Sequence, residues 1–564
     1  MRVLFLSILV SIFFGSYVQA QRIELGKEVL EYLADDKLEG RSPGTEGDKL
    51  ARKFMAKKFY DMWGGRFSFG YEQPFSLEIA RSINSNTALT VGDHVATLNT
   101  DFLPVVMSAE VKVEANLYYA GNGLSDETEA AKNKWVLVYL TESGNKMSVF
   151  REIIDMSISA RDAGAAGVLF ASKNDLSSVS EFLSFAYNRS IISLDIPIIQ
   201  ISREFLLEVV SGKRLSLRKL RKNSLEIINK KLGDVPVSGT IQFDRDIRQT
   251  ANVAAYVEGN QSNEWVVVGA HYDHLGFGGK YSGSRTPDQK AVHNGADDNA
   301  SGVAMVMMLA EYYKKHAPAS NMAFVLFSAE ERGLLGSKHF VQNLPFPKEK
   351  IKAMVNFDMV GRLVDSSMSI SGVATAQEFE SLLENWNSKP IHLALGGGGY
   401  SGSDQASFCA EKIPVLFFNT GLHDDYHTPD DDAEKINYQG MELIANLSVN
   451  LLDSLTNPKF QLNFNENTSG EQSARRGGGM KVKMGLMPDV AGVVKNGLGV
   501  DGVTGGGPAH KAGIQKDDVI VAVDNKKVAN IYDYMKRLGE YNPGDKVTVD
   551  VRRAGEIIQV EVQF

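Results

Sequence analysis

One cysteine, Cys409, stands in 564 residues, so no disulfide can close within the chain. Export without disulfides suits a bacterial periplasm or exterior better than a eukaryotic secretory route. Positive charge is in the minority, with 60 Lys and Arg against 69 Asp and Glu and a net charge of -9. That balance argues against nucleic acid as a partner. The basic run 213–222 reads as a solvated face. Long apolar runs are missing beyond the N-terminus, so no later segment reads as a membrane span. The exception is residues 3–14, with Arg2 before them and Val18-Gln19-Ala20 after. A charged start, an apolar core and a small-residue site predict a secretory signal peptide over 1–20. Gln21 would then open the mature chain, leaving no cysteine there for a lipid anchor. The expected location is periplasmic or extracellular, with no stable membrane anchor.

A chain of this length holds about three or four domains. Residues 265–302 organise what is present. Trp265-Val266-Val267-Val268-Gly269 is short, β-branched and bounded by glycine, which predicts a buried strand. His271 and Asp273 stand where that strand gives way to a loop. Asp298 lies in a later loop, before a run over 302–313 that reads as a helix. Three more apolar runs follow the same logic. Glu330 and Glu331 come after 321–327, Asp358 after 353–357, and Tyr426 and His427 shortly after 413–418. In open α/β sheets, ligands gather at the carboxyl ends of strands. Any one of these acids could be solvated, but their joint placement points to one site.

Imidazole and carboxylate ligands suit zinc, and catalytic zinc keeps a position open for water. His271, Asp298, Glu330, Glu331, Asp358 and His427 are too many for one structural ion. They suit two metals roughly 3.5–4 Å apart with a shared carboxylate. Of the adjacent pair Glu330 and Glu331, one would ligate. The other would take a proton from water and pass it to the leaving amine.

Five segments, in order, resemble the co-catalytic di-zinc exopeptidase family. That family contains secreted bacterial leucine-type aminopeptidases and glutamate carboxypeptidase. The segments are Ala270-His271-Tyr272-Asp273, 295–302, Ser328-Ala329-Glu330-Glu331, Asn356-Phe357-Asp358 and Tyr426-His427-Thr428-Pro429. The resemblance implies that His271 and Asp358 hold one zinc, that Glu331 and His427 hold the other, and that Asp298 bridges them. Asp297 would not ligate. Glu330 would be general base and then general acid. Tyr426 would donate to the oxyanion, and Asp273 would orient His271. Two Zn²⁺ per chain are expected. Gln405 departs from the family, which often has His there, so specificity is not inherited. That position is expected to shape the substrate pocket, and 396–399 to form a loop near the site.

The implied fold is α/β, a mostly parallel mixed sheet between helices, over 21–74 and 246–456. Residues 75–245 resemble an inserted α+β protease-associated domain, through 163–168 and Ile196-Pro197-Ile198. Residues 480–564 resemble a PDZ domain, through 507–514 and 517–520, with Met484-Gly485-Leu486-Met487 as its carboxylate-binding loop. Such a groove accepts an extended peptide or protein C-terminus as an added strand. The polar stretch 457–479 reads as a flexible linker, so the tail is expected to move independently. The expected activity is removal of N-terminal residues from peptides. A carboxypeptidase or dipeptidase on the same scaffold would need a basic residue at the substrate carboxylate, for which Arg362 is the candidate. A non-catalytic receptor would have lost ligands, yet all five and the base are present.

Overall fold

A computed structural model describes residues 22–564 apart from 65–70, 106, 125–128, 141–145, 172–192, 223, 280–281, 387–390, 401, 466–480, 490–493 and 495. The expected signal peptide, and most of the expected linker, lie outside the described residues. Among the described residues, no helix is long and apolar enough to cross a membrane.

The central sheet has eight strands. They are β1 (Glu72–Ile83), β2 (Phe243–Val257), β3 (Trp265–His271), β4 (Asn321–Phe327), β5 (Ile351–Phe357), β6 (Ser367–Ser371), β7 (His392–Leu395) and β8 (Val415–Asn419). Their order across the sheet is β1-β2-β4-β3-β5-β8-β6-β7. The middle four, β4, β3, β5 and β8, run parallel. Apart from their first residues, β3 and β4 are buried throughout, and β5 is buried along its whole length. Strands covered on both faces need such continuous apolar runs. Helices α1 (Glu46–Trp63), α3 (Gly302–Lys315) and α4 (Tyr438–Thr456) supply cover. The methionine-rich start of α3, Met305 to Met308, is fully buried in the main core.

The insertion leaves and returns as a paired ribbon, with β1 and β2 antiparallel from Glu72↔Val253 to Ile83↔Phe243. Its own eight-stranded sheet is built from strands between Ala88 and Thr240. That body is therefore narrower than 75–245. Only Val253–Val257 of β2 pair with β4, and the rest of the ribbon pairs with itself, with Phe243 at its far end packed in the insertion's core. The insertion also carries α2 (Lys146–Asp162).

The C-terminal unit has a six-stranded sheet that includes β9 (Leu486–Pro488) and β10 (Leu498–Val503), with α5 (Ile531–Leu538) beside it. It is docked, contrary to the expectation of an independent tail. Arg161 of α2 donates to Asp533 of α5 at 2.7 Å, and Arg537 pairs with Asp162. Lys536 donates to Ser159 Oγ at 2.7 Å, and Tyr532 packs against the insertion's core. On the other side, Lys338 pairs with Asp501 at 2.7 Å and Lys516 with Glu411. Gly502 of β10 meets Tyr400, where an added Cβ would lie 2.7 Å from the ring. Gly502→Ala is expected to destabilise the full chain by about 1–3 kcal/mol through overpacking. Gly398→Ala, with nothing within 4 Å, is the neutral control. Equal thermal melting of the two variants would contradict the docked arrangement.

Candidate functional site

The parallel strands deliver their chemistry to one edge. β3 ends on His271, with Asp273 two residues beyond. β4 ends at Phe327, and Ala329, at φ 57°, turns the chain into Glu330 and Glu331. β5 hands over directly to Asp358. The loop after β8 carries Tyr426 and His427. Asp298 sits in the irregular turn Ala296–Ser301 that feeds α3, where its own backbone is non-helical. His271, Asp298, Glu330, Glu331, Asp358, Tyr426 and His427 all line one cavity of about 250 Å³.

The two carboxylate oxygens of Asp298 face different imidazoles. Oδ1 is 3.3 Å from His271 Nε2, and Oδ2 is 3.1 Å from His427 Nε2. Asp358 Oδ1 stands 3.5 Å from His271 Nε2, and Glu331 Oε1 stands 3.2 Å from His427 Nε2. Two ligand atoms on one tetrahedral zinc are separated by roughly 3.3–3.5 Å, given bonds near 2.0–2.2 Å. The observed spacings match that figure closely.

The far nitrogens fix the tautomers. His271 Nδ1 lies 3.1 Å from the Asp273 carbonyl, and His427 Nδ1 lies 3.0 Å from the Gly283 carbonyl. A carbonyl only accepts, so each Nδ1 carries the proton. Each Nε2 then faces carboxylate oxygens, an arrangement that is repulsive unless a proton or a metal cation lies between them. The titration behaviour agrees. Burial opposes charge on His427, yet Glu331 and Asp298 push its pKa up to about 11. At His271 burial is likewise outweighed, chiefly by Asp358 and Glu330, and the ring is raised well above its ordinary value. Both rings call for positive charge at Nε2, so the donor set fits zinc.

Glu330 is different. No imidazole nitrogen is paired with its carboxyl, which burial raises well above the usual range, with Glu331, Asp404 and Asp358 adding to the effect. Its backbone N–H donates to Asp273 Oδ1 at 3.0 Å. The Asp273 carboxylate stands 3.8 Å from His271 Nδ1, so it is the Asp273 carbonyl that holds that ring. Burial pushes the Asp273 carboxyl up to about 7. The Tyr426 ring stacks on His427 with centroids 3.9 Å apart, and burial raises its hydroxyl.

Asp297 turns away from this cluster. Its Oδ1 accepts from Gly361 N–H at 2.6 Å, and its Oδ2 is 3.2 Å from His423. Gln405 is fully buried and does not line the cavity. Asn356 donates to its Oε1 at 2.9 Å, which ties the helix Gln405–Cys409 to β5. Gly402 does line the cavity, whereas none of the run 396–399, expected to form a loop near the site, is among its described lining residues. Burial pushes the Cys409 thiol up to about 12, as befits a small core residue. Three residues escape the sequence reading. Asp431 Oδ2 accepts from the backbone N–H groups of Asp297 and Asp298, at 2.9 and 3.0 Å. His274 Nδ1 lies 3.0 Å from Glu331 Oε1. Arg41 donates to the Tyr272 carbonyl at 2.7 Å and the Gly295 carbonyl at 3.0 Å. For Asp431, the acidic triplet 430–432 was the available signal.

Residues 252–452 match the model of peptidase family M28, and residues 479–564 match that of the PDZ domain. The chain therefore carries a catalytic-type domain of peptidase family M28 with a PDZ domain behind it. An aminopeptidase of Pseudomonas aeruginosa (strain UCBPP-PA14) is 37% identical over 129 residues, 23% of this chain and 21% of that one. The chain thus matches only about a fifth of that relative's length. Leupeptin-inactivating enzyme 1 of Streptomyces exfoliatus is 28% identical over 313 residues, 53% of this chain and 67% of that protein. The structure of a zinc aminopeptidase from Bacillus subtilis aligns with a TM-score of 0.44 at 19% identity, covering 78% of this chain and 96% of that one.

Proposed function

We propose that this chain is an exported, zinc-dependent aminopeptidase with two Zn²⁺ per chain. The reading rests on one observation above all: Asp298 offers one carboxylate oxygen to each of two histidines. His271 and Asp358 would hold one ion, Glu331 and His427 the other, with Asp298 between. Bound zinc supplies Lewis acidity that activates water and offsets charge growing on the substrate carbonyl. Glu330, unligated and facing the cavity, takes the water's proton and returns it to the leaving amine. The Tyr426 hydroxyl donates to the carbonyl oxygen as that charge develops.

The lining favours an N-terminus over a C-terminus. Among the described residues lining the cavity there is no lysine or arginine. Arg362 is committed elsewhere, to Asp425 at 3.1 Å and Asp431 at 3.2 Å. A substrate α-carboxylate would find no cationic side chain there to pair with. Met359, Phe417 and Leu422 offer an apolar wall to the first side chain. The insertion would act as a protease-associated domain. The PDZ domain would take an extended peptide against β9.

The test uses the full chain and peptides blocked at either end, with and without a zinc chelator. C-blocked peptides are expected to be cleaved and N-blocked ones spared, with loss on chelation and recovery on adding zinc. Cleavage of N-blocked peptides from their free C-terminus would establish the carboxypeptidase instead. Elemental analysis finding fewer than two zinc ions in replete protein would remove the pair.

A further inference from the structure

His274 follows Asp273 directly and is fully buried. Its Nδ1 is 3.0 Å from Glu331 Oε1 and 3.9 Å from Asp298 Oδ2. The same Glu331 oxygen is 3.2 Å from His427 Nε2. Glu331 thus stands between two imidazoles, whose rings meet edge to face at 5.6 Å. The two do different work. His427 is nearly equidistant from two carboxylate oxygens, at 3.1 and 3.2 Å. Atoms sharing one ion have that symmetry. His274 is at hydrogen-bond length from one oxygen and well beyond it from the other. A carboxylate only accepts, so Nδ1 of His274 carries the proton and donates it.

The backbone makes room for this ring. Gly295 has φ 55°, and a Cβ there would lie 2.5 Å from His274 Cδ2. A side chain at 295 would therefore displace the imidazole. The ring's other nitrogen, Nε2, is buried without a hydrogen-bond partner. The one hydrogen bond between this ring and a protein group among the described residues is therefore the contact with Glu331, which couples the orientation of the ring to that of the carboxylate.

Resting on the reading of a zinc pair, we propose that His274 is a positioning residue for the ion held by Glu331 and His427. Its Nδ1–H fixes the rotation of the Glu331 carboxylate, so that one oxygen is presented beside His427 Nε2. An orienting partner of this kind changes metal affinity by roughly 10–100-fold. The effect falls on one ion, because Glu331 stands with His427, whereas His271 stands with Asp358 and the other oxygen of Asp298.

The experiment is a zinc titration of metal-free full-length protein against a competing chelator, with thermal melting of each metal-free form. His274→Ala is expected to weaken one ion by roughly 10–100-fold and leave the other unchanged. His274→Asn, whose amide N–H occupies the place of Nδ1–H, should recover most of that affinity. Wild-type affinity for both ions in His274→Ala would overturn the proposal. So would Asn binding as weakly as Ala with an equal drop in metal-free melting, since that marks a packing role. Cobalt substitution adds a further check: loss of a nitrogen ligand from the spectrum in His274→Ala would make His274 a direct ligand and overturn the positioning role. If the wild-type chain binds a single ion, the pair fails. The inference then stands only if His274→Ala weakens that ion and Asn restores it.

Discussion

Glu330→Gln is expected to remove nearly all turnover while zinc content stays at the parent level. Glu330 shares the cavity with the ligand set, yet its carboxyl is paired with neither histidine. Its neighbour Glu331 is the one that faces His427 and His274. Glutamine keeps the shape and the backbone bond to Asp273, and it removes only the ability to accept a proton. Proton transfer by a placed side chain contributes roughly 10²–10⁴-fold, so kcat should fall by about that factor or more. KM should change little, because an amide fills the same volume. Glu331→Gln is the contrast: it should lower zinc content first and activity as a consequence. Single-turnover rates and elemental analysis on both variants decide the matter. If Glu330→Gln loses metal while Glu331→Gln keeps it, the two roles are exchanged.

The residues on strand ends were the legible ones. β3, β4, β5 and β8 are continuous apolar runs, and parallel strands must bring their carboxyl ends to one edge. A residue adjoining such a run is therefore placed in space by the run itself. Asp431 carries no such marker, and His274, three residues past the end of β3, carries none for the partner it meets. Each acts on a group far along the chain, Glu331 for the first and the backbone of Asp297 and Asp298 for the second. Only the folded loops bring them together. Gln405 misled through the resemblance: a position that often carries His in the family was expected to shape the pocket, whereas its amide is buried and accepts from Asn356 of β5.

The docked tail was hidden by its chemistry. Tyr532, Asp533, Lys536 and Arg537 share one face of α5, spaced as helical neighbours are. A polar face of that kind ordinarily meets water. Here Asp533 and Arg537 are fully buried, and their partners Arg161 and Asp162 come from α2 of the insertion. Matched charge across two units cannot be read from either unit alone. The consequence reaches the site, because β10 rests on Tyr400, next to the loop that supplies Gly402 to the cavity.

Arg41→Ala is expected to cost the most stability of any single change near the site. Arg41 is fully buried in a left-handed conformation, at φ 50°. Its Nε donates to the Tyr272 carbonyl at 2.7 Å, just past the end of β3. Nη1 donates to the Asn294 carbonyl at 2.6 Å and also to that of Leu33. Nη2 reaches the Gly295 carbonyl at 3.0 Å. One guanidinium therefore ties the loop of His271 to the loop of Asp298 and to the end of the helical segment 22–33. Burial lowers its pKa to about 10, so it remains charged at neutral pH, facing Asp273, Asp298 and Asp431. Alanine would strand four buried carbonyls, each costing about 1–3 kcal/mol when left without a donor. The costs are not additive, but about 5 kcal/mol is a fair total, comparable with the whole stability of many domains. Folded protein should be scarce, and what folds should bind zinc weakly because the two loops are no longer registered. Arg41→Lys keeps the charge but loses the fork that spans separate carbonyls, so it should fall between. Chemical denaturation and zinc titration of the three proteins test this order. If Arg41→Ala unfolds within about 1 kcal/mol of the parent, water has replaced the guanidinium at those carbonyls, and the tie between the loops lies elsewhere.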